Sequence, residues 1–308
     1  MSWLHDIFVK ASESAWLREH ASRYRFVRAG ASRFLPGETA DAAFAAARRL
    51  AAEGIFSLVT HLGENVRDRA EAQAVVQGYL DLLARIRSEG LPAEISVKLT
   101  QLGLDLDREF CYANLIKLFD GAAGQTIWID MEQSGYVDAT LDIYGRAKKD
   151  QQRVGVCVQS YLRRTAKDIE SLVSMGAAVR LVKGAYSEPH DIAYAKKSEV
   201  DESYFRLAQS LLGAGARRSG VRAVMGTHDR KLIDRISAWA AQENIPKNGL
   251  EFAMLYGIQR AQQLRLARDG YRSDVLISYG TYWFPWFMRR LAERPANVFF
   301  VLRNLFSG

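Results

Sequence analysis

The feature that most constrains this chain is a rhythm. Eight short apolar runs recur along it: "IFSLVT" (55–60), "EISVKLT" (94–100), "TIWIDME" (126–132), "VGVCVQS" (154–160), "AAVRLVKGA" (177–185), "RAVMGT" (222–227), "LEFAMLYG" (250–257) and "DVLISYG" (274–280). Longer amphipathic stretches such as "AEAQAVVQGYLDLLARIRSEG" separate them. Strands alternating with helical patterns read as serial βα units, which build a parallel sheet. Eight units are what a closed barrel needs, whereas an open doubly wound sheet rarely runs to eight such regular units. The expected fold is therefore α/β: a (β/α)8 barrel of the TIM type with extra helices at its N-terminus. Residues 1–50 are expected to form a helical segment packed on the barrel, and residues 51–308 the barrel itself.

The length of 308 residues suits such a barrel and can bury a full core without covalent staples. The only cysteines, Cys111 and Cys157, lack metal-site spacing and read as reduced, buried thiols of a cytoplasmic protein. His5, His20, His61, His190 and His228 form no ligand pattern, so no metal is expected. The formal charge of +7 is spread among acids without a basic run, which argues against a nucleic-acid partner. It does suit transient peripheral contact with an anionic membrane. No segment reaches the roughly 18 uninterrupted apolar residues of a membrane span. Near the start, Trp3, Leu4, Ile7 and Phe8 fall at helical spacing, as in an amphipathic helix docking on its own protein. "GAGARRSG" (213–220) resembles a dinucleotide fingerprint but follows a helix and has Arg218 where the third glycine belongs.

In a (β/α)8 barrel the active site lies at the C-terminal strand ends. Polar residues converge there: Lys98, Asp130, Glu132, Gln159, Arg180, Lys183, Thr227, His228 and Asp229. A cation inside a strand must face the barrel mouth or pair with an acid. Gly184 and Ala185, following the fifth strand, leave room for a large anionic cofactor to approach the backbone. Near the C-terminus, "YWFPWFMRRLAERPAN" places Pro285 in the first turn of a helix. Trp286, Arg289, Arg290 and Glu293 then share one face, with Glu293 placed to hold Arg289. Phe284, Phe287, Met288 and Leu291 press that helix into the protein. The two guanidiniums form a fork for a small carboxylate or phosphate. A different class stays open at this point: an aldolase-type barrel with Lys98 or Lys183 as Schiff-base nucleophile.

Taken in order, "SVKLTQLGLD", "WIDME", "VQSYLRR", "RLVKGAYSEP", "GTHD", "EFAMLYG" and "YWFPWFMRRLAERPAN" resemble the proline dehydrogenase family in its short monofunctional bacterial form. The resemblance runs from about residue 54 to the end. It implies a distorted barrel holding FAD without a Rossmann domain. It also implies oxidation of L-proline to Δ1-pyrroline-5-carboxylate, the first step of proline catabolism. Hydride would pass from the substrate ring carbon to flavin N5, and a membrane quinone would reoxidise the flavin. Carried over by position, Arg289 and Arg290 would clamp the substrate carboxylate beside Lys98, and Leu255 would cover the ring. Asp130 would order the pocket by pairing Lys98 or an arginine, and Arg180 would be the cation near the flavin, making these two the expected catalytic residues. Met131, Gln159, Arg180, Lys183, Gly184, Ala185, Thr227 and His228 would hold the cofactor. The chain departs from the family pattern on the last strand, where Leu276 and Ser278 replace a tyrosine and a proline, leaving hydroxyproline or a related imino acid open as substrate. Tyr279 could stand in for that tyrosine only if the strand register shifted. Glu64, after the first strand, is expected to pair with Arg180 and close the site.

Overall fold

The computed structural model describes residues 20, 27, 30–63, 65–150 and 153–293, the last two as backbone only. Trp3, Leu4, Ile7, Phe8, Glu64, the side chain of Glu293 and segment 297–306 thus lie outside the described residues.

The eight strands are β1 (Phe56–His61), β2 (Ala93–Val97), β3 (Ile127–Ile129), β4 (Val154–Gln159), β5 (Ala178–Val182), β6 (Arg222–Gly226), β7 (Glu251–Leu255) and β8 (Arg272–Tyr279). They pair in sequence order, and β8 pairs in parallel with β1 to close the barrel. The sequence rhythm anticipated every strand. It ran several strands too far, however, carrying β2 through Thr100 and β5 through Ala185. Pairing stops at Val97 and Val182, and the chain beyond turns onto the rim.

Both faces of each strand are covered, which explains why the runs are apolar rather than alternating. Outward-facing Val59, Ile95, Val97, Ile127, Val156, Leu181 and Ile277 join one core with the surrounding helices. Inward, Leu58, Trp128, Val224 and Ala253 fill a layer across the barrel, with Leu276 packed against it. Gly155 makes that layer possible, because a Cβ there would lie 2.4 Å from the Trp128 ring.

Below this layer, at the N-terminal strand ends, charged side chains plug the barrel floor. Arg222 donates to Glu94 at 2.8 Å and to Glu251 at 2.9 Å, while Arg272 reaches Asp274 at 3.2 Å. Burial, reinforced by Glu251 and Glu94 against Arg272 and Arg222, pushes the Asp274 carboxyl up to about 7.

Two helices depart from an even ring. Helix α1 (Ala40–Ala51), begun by a Thr39 side-chain cap, packs Phe44, Ala47 and Leu50 against β1 and β8. The final helix α10 (Trp283–Glu293) packs elsewhere. Its Trp283, Phe284, Phe287 and Leu291 cluster with Phe34, Leu62, Leu255 and Ile258, beside the C-terminal ends of β1 and β7. The helix preceding β1 thus occupies the wall beside β8, and the last helix lies at the mouth. The barrel is distorted in this way, a form the expectation of a distorted barrel left unspecified, and residues 40–51 belong to its outer layer. Helix α6 (Lys197–Leu212) packs beside α8 (Arg230–Gln242), and Gly213 separates it from a short turn of helix over Ala214–Arg218 in the glycine-rich stretch.

Candidate active site

The mouth is organised around a buried ion pair. Arg180, in mid-β5, is 4 % exposed, and its Nη2 donates to Asp130 Oδ1, the residue just past β3. The same Nη2 donates to Ser96 Oγ at 2.9 Å, and Ser96 Oγ donates to Asp130 Oδ1 at 2.7 Å. Burial works against the Arg180 charge, but Asp130, with Cys157 and Asp274 behind it, more than offsets that penalty and keeps the guanidinium ionised. Arg180 Nη1 is buried with no hydrogen-bond acceptor among the described residues. Asp130 thus takes the arginine, of the two partners expected for it. Lys98, two residues after Ser96, is buried and forms no ion pair among the described residues.

Other rim residues are held by the backbone. Gln159 donates from Nε2 to the Glu132 carbonyl at 3.2 Å, leaving its buried Oε1 without a donor among the described residues. Glu132 accepts from the Thr100 hydroxyl at 2.7 Å and so ties the β2 and β3 ends together. His228 Nε2 accepts the Leu255 N–H at 2.9 Å. That bond assigns the ring proton of a neutral His228 to Nδ1. Thr227 Oγ1 accepts the Asp229 N–H at 3.1 Å, and Asp229 in turn caps α8.

Lys183 sits in an ionic cluster. Its Nζ lies between Asp201 of α6 and Asp229, at 2.9 Å from the latter, and Lys197 contacts the same two carboxylates. Burial opposes ionisation of Asp229, but hydrogen bonds from Lys183 and Lys197 outweigh it and hold the carboxyl well below the usual range. The lysine is one member of a charge-balanced cluster rather than a free cation. Gly184 is also required for a local reason: its φ is +115° and a Cβ would lie 2.3 Å from the Tyr161 ring. Ala185 is half-buried in the same turn, and Met131 sits in the main core.

Helix α10 brings the twin arginines to this end. Arg289 and Arg290 are half-buried; Arg289 lies 5.4 Å over the Tyr186 ring and Arg290 5.6 Å over Trp286. Tyr186 belongs to the loop after β5, anchored where Glu188 accepts from Ser134 N at 2.7 Å and from its hydroxyl. Ser96 and Tyr186 are the members that sequence reasoning missed. Ser96 was findable, since it lies two residues before Lys98 and strand parity puts both on one face. Tyr279 instead turns outward, its ring 5.2 Å from that of His61. Leu276 and Ser278 therefore keep the inward register, and the buried Ser278 Oγ has no partner among the described residues.

This end of the barrel thus carries the cations Lys98, Arg289 and Arg290 beside the ion pair of Arg180 with Asp130. Comparisons with known proteins place the whole chain. The profile of the family described as Proline dehydrogenase matches residues 43–303. Proline dehydrogenase 2 of Bacillus subtilis is 35 % identical, over 97 % of this chain and 98 % of its own length. Proline dehydrogenase of Deinococcus radiodurans is 34 % identical over 90 % of each. Among solved structures, proline utilization A (PutA) from Bdellovibrio bacteriovorus, inactivated by N-propargylglycine, superposes with a TM-score of 0.80 at 25 % identity, over 87 % of this chain and 33 % of that larger one.

Proposed function

The chain belongs to the proline dehydrogenase family, and from that premise we propose that it oxidises L-proline to Δ1-pyrroline-5-carboxylate with FAD as redox group and a quinone as final acceptor. The observation that carries this reading is the convergence of Arg289 and Arg290, on a helix packed with Leu255 and Leu62, upon the strand ends that hold Arg180 and Lys98.

Arg289 and Arg290 bind the substrate carboxylate, with Lys98 as a third cation, and Leu255 covers the apolar ring. These cations also disfavour a charged substrate amine, so the chain itself promotes the deprotonated form from which oxidation starts. The rate therefore rises with pH in this reading. Two buried orphan atoms, Arg180 Nη1 and Gln159 Oε1, supply a donor and an acceptor of the kind an isoalloxazine edge requires. His228 adds a ring N–H, and Thr227, Gly184, Ala185, Met131 and the Lys183 cluster complete the cradle. When bound, FAD supplies the acceptor for the hydride. Asp130 keeps Arg180 charged and in place. Quinone use places the protein in peripheral contact with a membrane, since no described helix is long and apolar enough to cross one.

Hydroxyproline is favoured as a second substrate by one observation, the buried Ser278 hydroxyl facing inward next to Leu276. The aldolase reading finds less support, because Lys183 is occupied by two carboxylates. Anaerobic mixing of the purified protein with proline and, separately, hydroxyproline is the test. Bleaching of a bound flavin by proline is expected, and a flavin that neither compound reduces would refute the substrate assignment.

A further inference from the structure

We propose that Ser96 is a positioning residue for the redox chemistry: its hydroxyl fixes the rotation of the Arg180 guanidinium so that Nη1 faces the bound flavin, an inference that rests on the flavin reading above. Arginine and carboxylate commonly meet through two parallel bonds, which fix the plane of the guanidinium. Here Arg180 reaches Asp130 through one bond, Nη2 to Oδ1. A single bond fixes position but leaves rotation about its own line free.

Ser96 supplies the second point. A hydroxyl has one proton, and that of Ser96 is directed to Asp130 Oδ1 at 2.7 Å. A lone pair is thereby left for Arg180 Nη2 at 2.9 Å. The three groups close a ring of hydrogen bonds drawn from β2, the end of β3, and β5. The Trp128 ring lies under the guanidinium, with Arg180 Cζ 5.4 Å from its centroid, and restricts movement toward the floor. Cys157, the register partner of Arg180 on β4, also meets the guanidinium, but a thiol is a weak hydrogen-bond acceptor and holds its plane less firmly than a hydroxyl does. Ser96 is fully buried, so no water substitutes for its hydroxyl from bulk solvent. With Nη2 held at two points, Nη1 is the nitrogen left to meet a ligand.

A serine that merely filled a polar hole would alter stability and leave the redox group untouched. The flavin midpoint potential and the affinity of the flavin for sulfite, which adds at N5 and needs no substrate, separate the two roles. In Ser96→Ala the sulfite Kd is expected to rise about fivefold, and the reduced-to-oxidised equilibrium to fall about fivefold, or about 20 mV for a two-electron couple. Ser96→Thr keeps the hydroxyl and is expected to restore both, while Ser96→Cys, close in shape but a poor hydrogen bonder, should match the alanine variant if that one fails to fold. Values within twofold of wild type in both the alanine and cysteine variants would overturn the proposal. A wild-type flavin bleached by sulfite but not by proline would refute only the substrate reading, because the sulfite comparison among variants still stands. A purified chain that binds no flavin would refute both.

Discussion

Replacing Asp130 by asparagine tests the central ion pair. The substitution preserves shape and one acceptor oxygen but removes the negative charge opposite Arg180. The arginine side chain is 5 % exposed and the aspartate side chain 17 %, so solvent cannot take over the lost charge. Removing one partner of a buried pair costs about 3–5 kcal/mol, chiefly because the other charge is left uncompensated. Ser96 remains as an acceptor for Nη2 at 2.9 Å, which places the expected loss near the lower end, about 3 kcal/mol. That is roughly a 150-fold change in the folding equilibrium. Urea unfolding followed by tryptophan fluorescence should show the midpoint falling with little change in slope, since the exposed surface is nearly the same. The loss should also persist at high salt, because a pair at this depth is poorly screened. A loss below about 1 kcal/mol, the range of exposed pairs, would refute the claim that this pair is electrostatically buried.

Three further outcomes are expected. Arg289→Lys should raise the KM for proline about 10-fold or more while leaving the flavin spectrum unchanged, because lysine keeps the charge but loses the planar fork; an unchanged KM would remove Arg289 from the carboxylate site. Asp274, with its folded value raised to about 7, stays protonated in the native protein where the unfolded chain has already ionised, so it contributes least to stability above pH 7 and the penalty fades as pH falls toward 4. Asp274→Asn should therefore raise the urea midpoint at pH 8 and have little effect near pH 4, and a pH-independent effect would contradict this account. Gly184→Ala forces a side chain into a left-handed backbone and against the Tyr161 ring, and should lower both Tm and flavin occupancy; a wild-type Tm would mean that this turn is not constrained as described.

The barrel was legible in the sequence because parallel strands covered on both faces appear as apolar runs, and no other common fold repeats them eight times. Strand ends were less legible. Lys98, Asp130 and Lys183 follow apolar residues without a break in pattern, so nothing local marks where pairing stops. The list of mouth residues came from strand ends and family order, whereas their partners were at best narrowed, as Asp130 was to Lys98 or an arginine. Asp130 and Arg180 are 50 positions apart, and Lys183 and Asp229 are 46. Pairing at such separation is decided by which strands become neighbours around the ring. The displacement of the last helix was equally hidden in periodicity, because an apolar face reads alike whether it covers a wall or a mouth. The two arginines on its half-apolar face were the one hint of it, since a guanidinium pair suits a mouth better than a wall.

Because α1 stands beside β8 where the final helix of an even ring would be, closure of the cylinder does not depend on α10. The segment carrying Arg289 and Arg290 is thus not one of the staves, although its apolar face still seals the mouth-side cluster. Under the function proposed above, exchanges on its mouth-facing side retune which small acid is accepted, while the staves of the barrel keep their joinery.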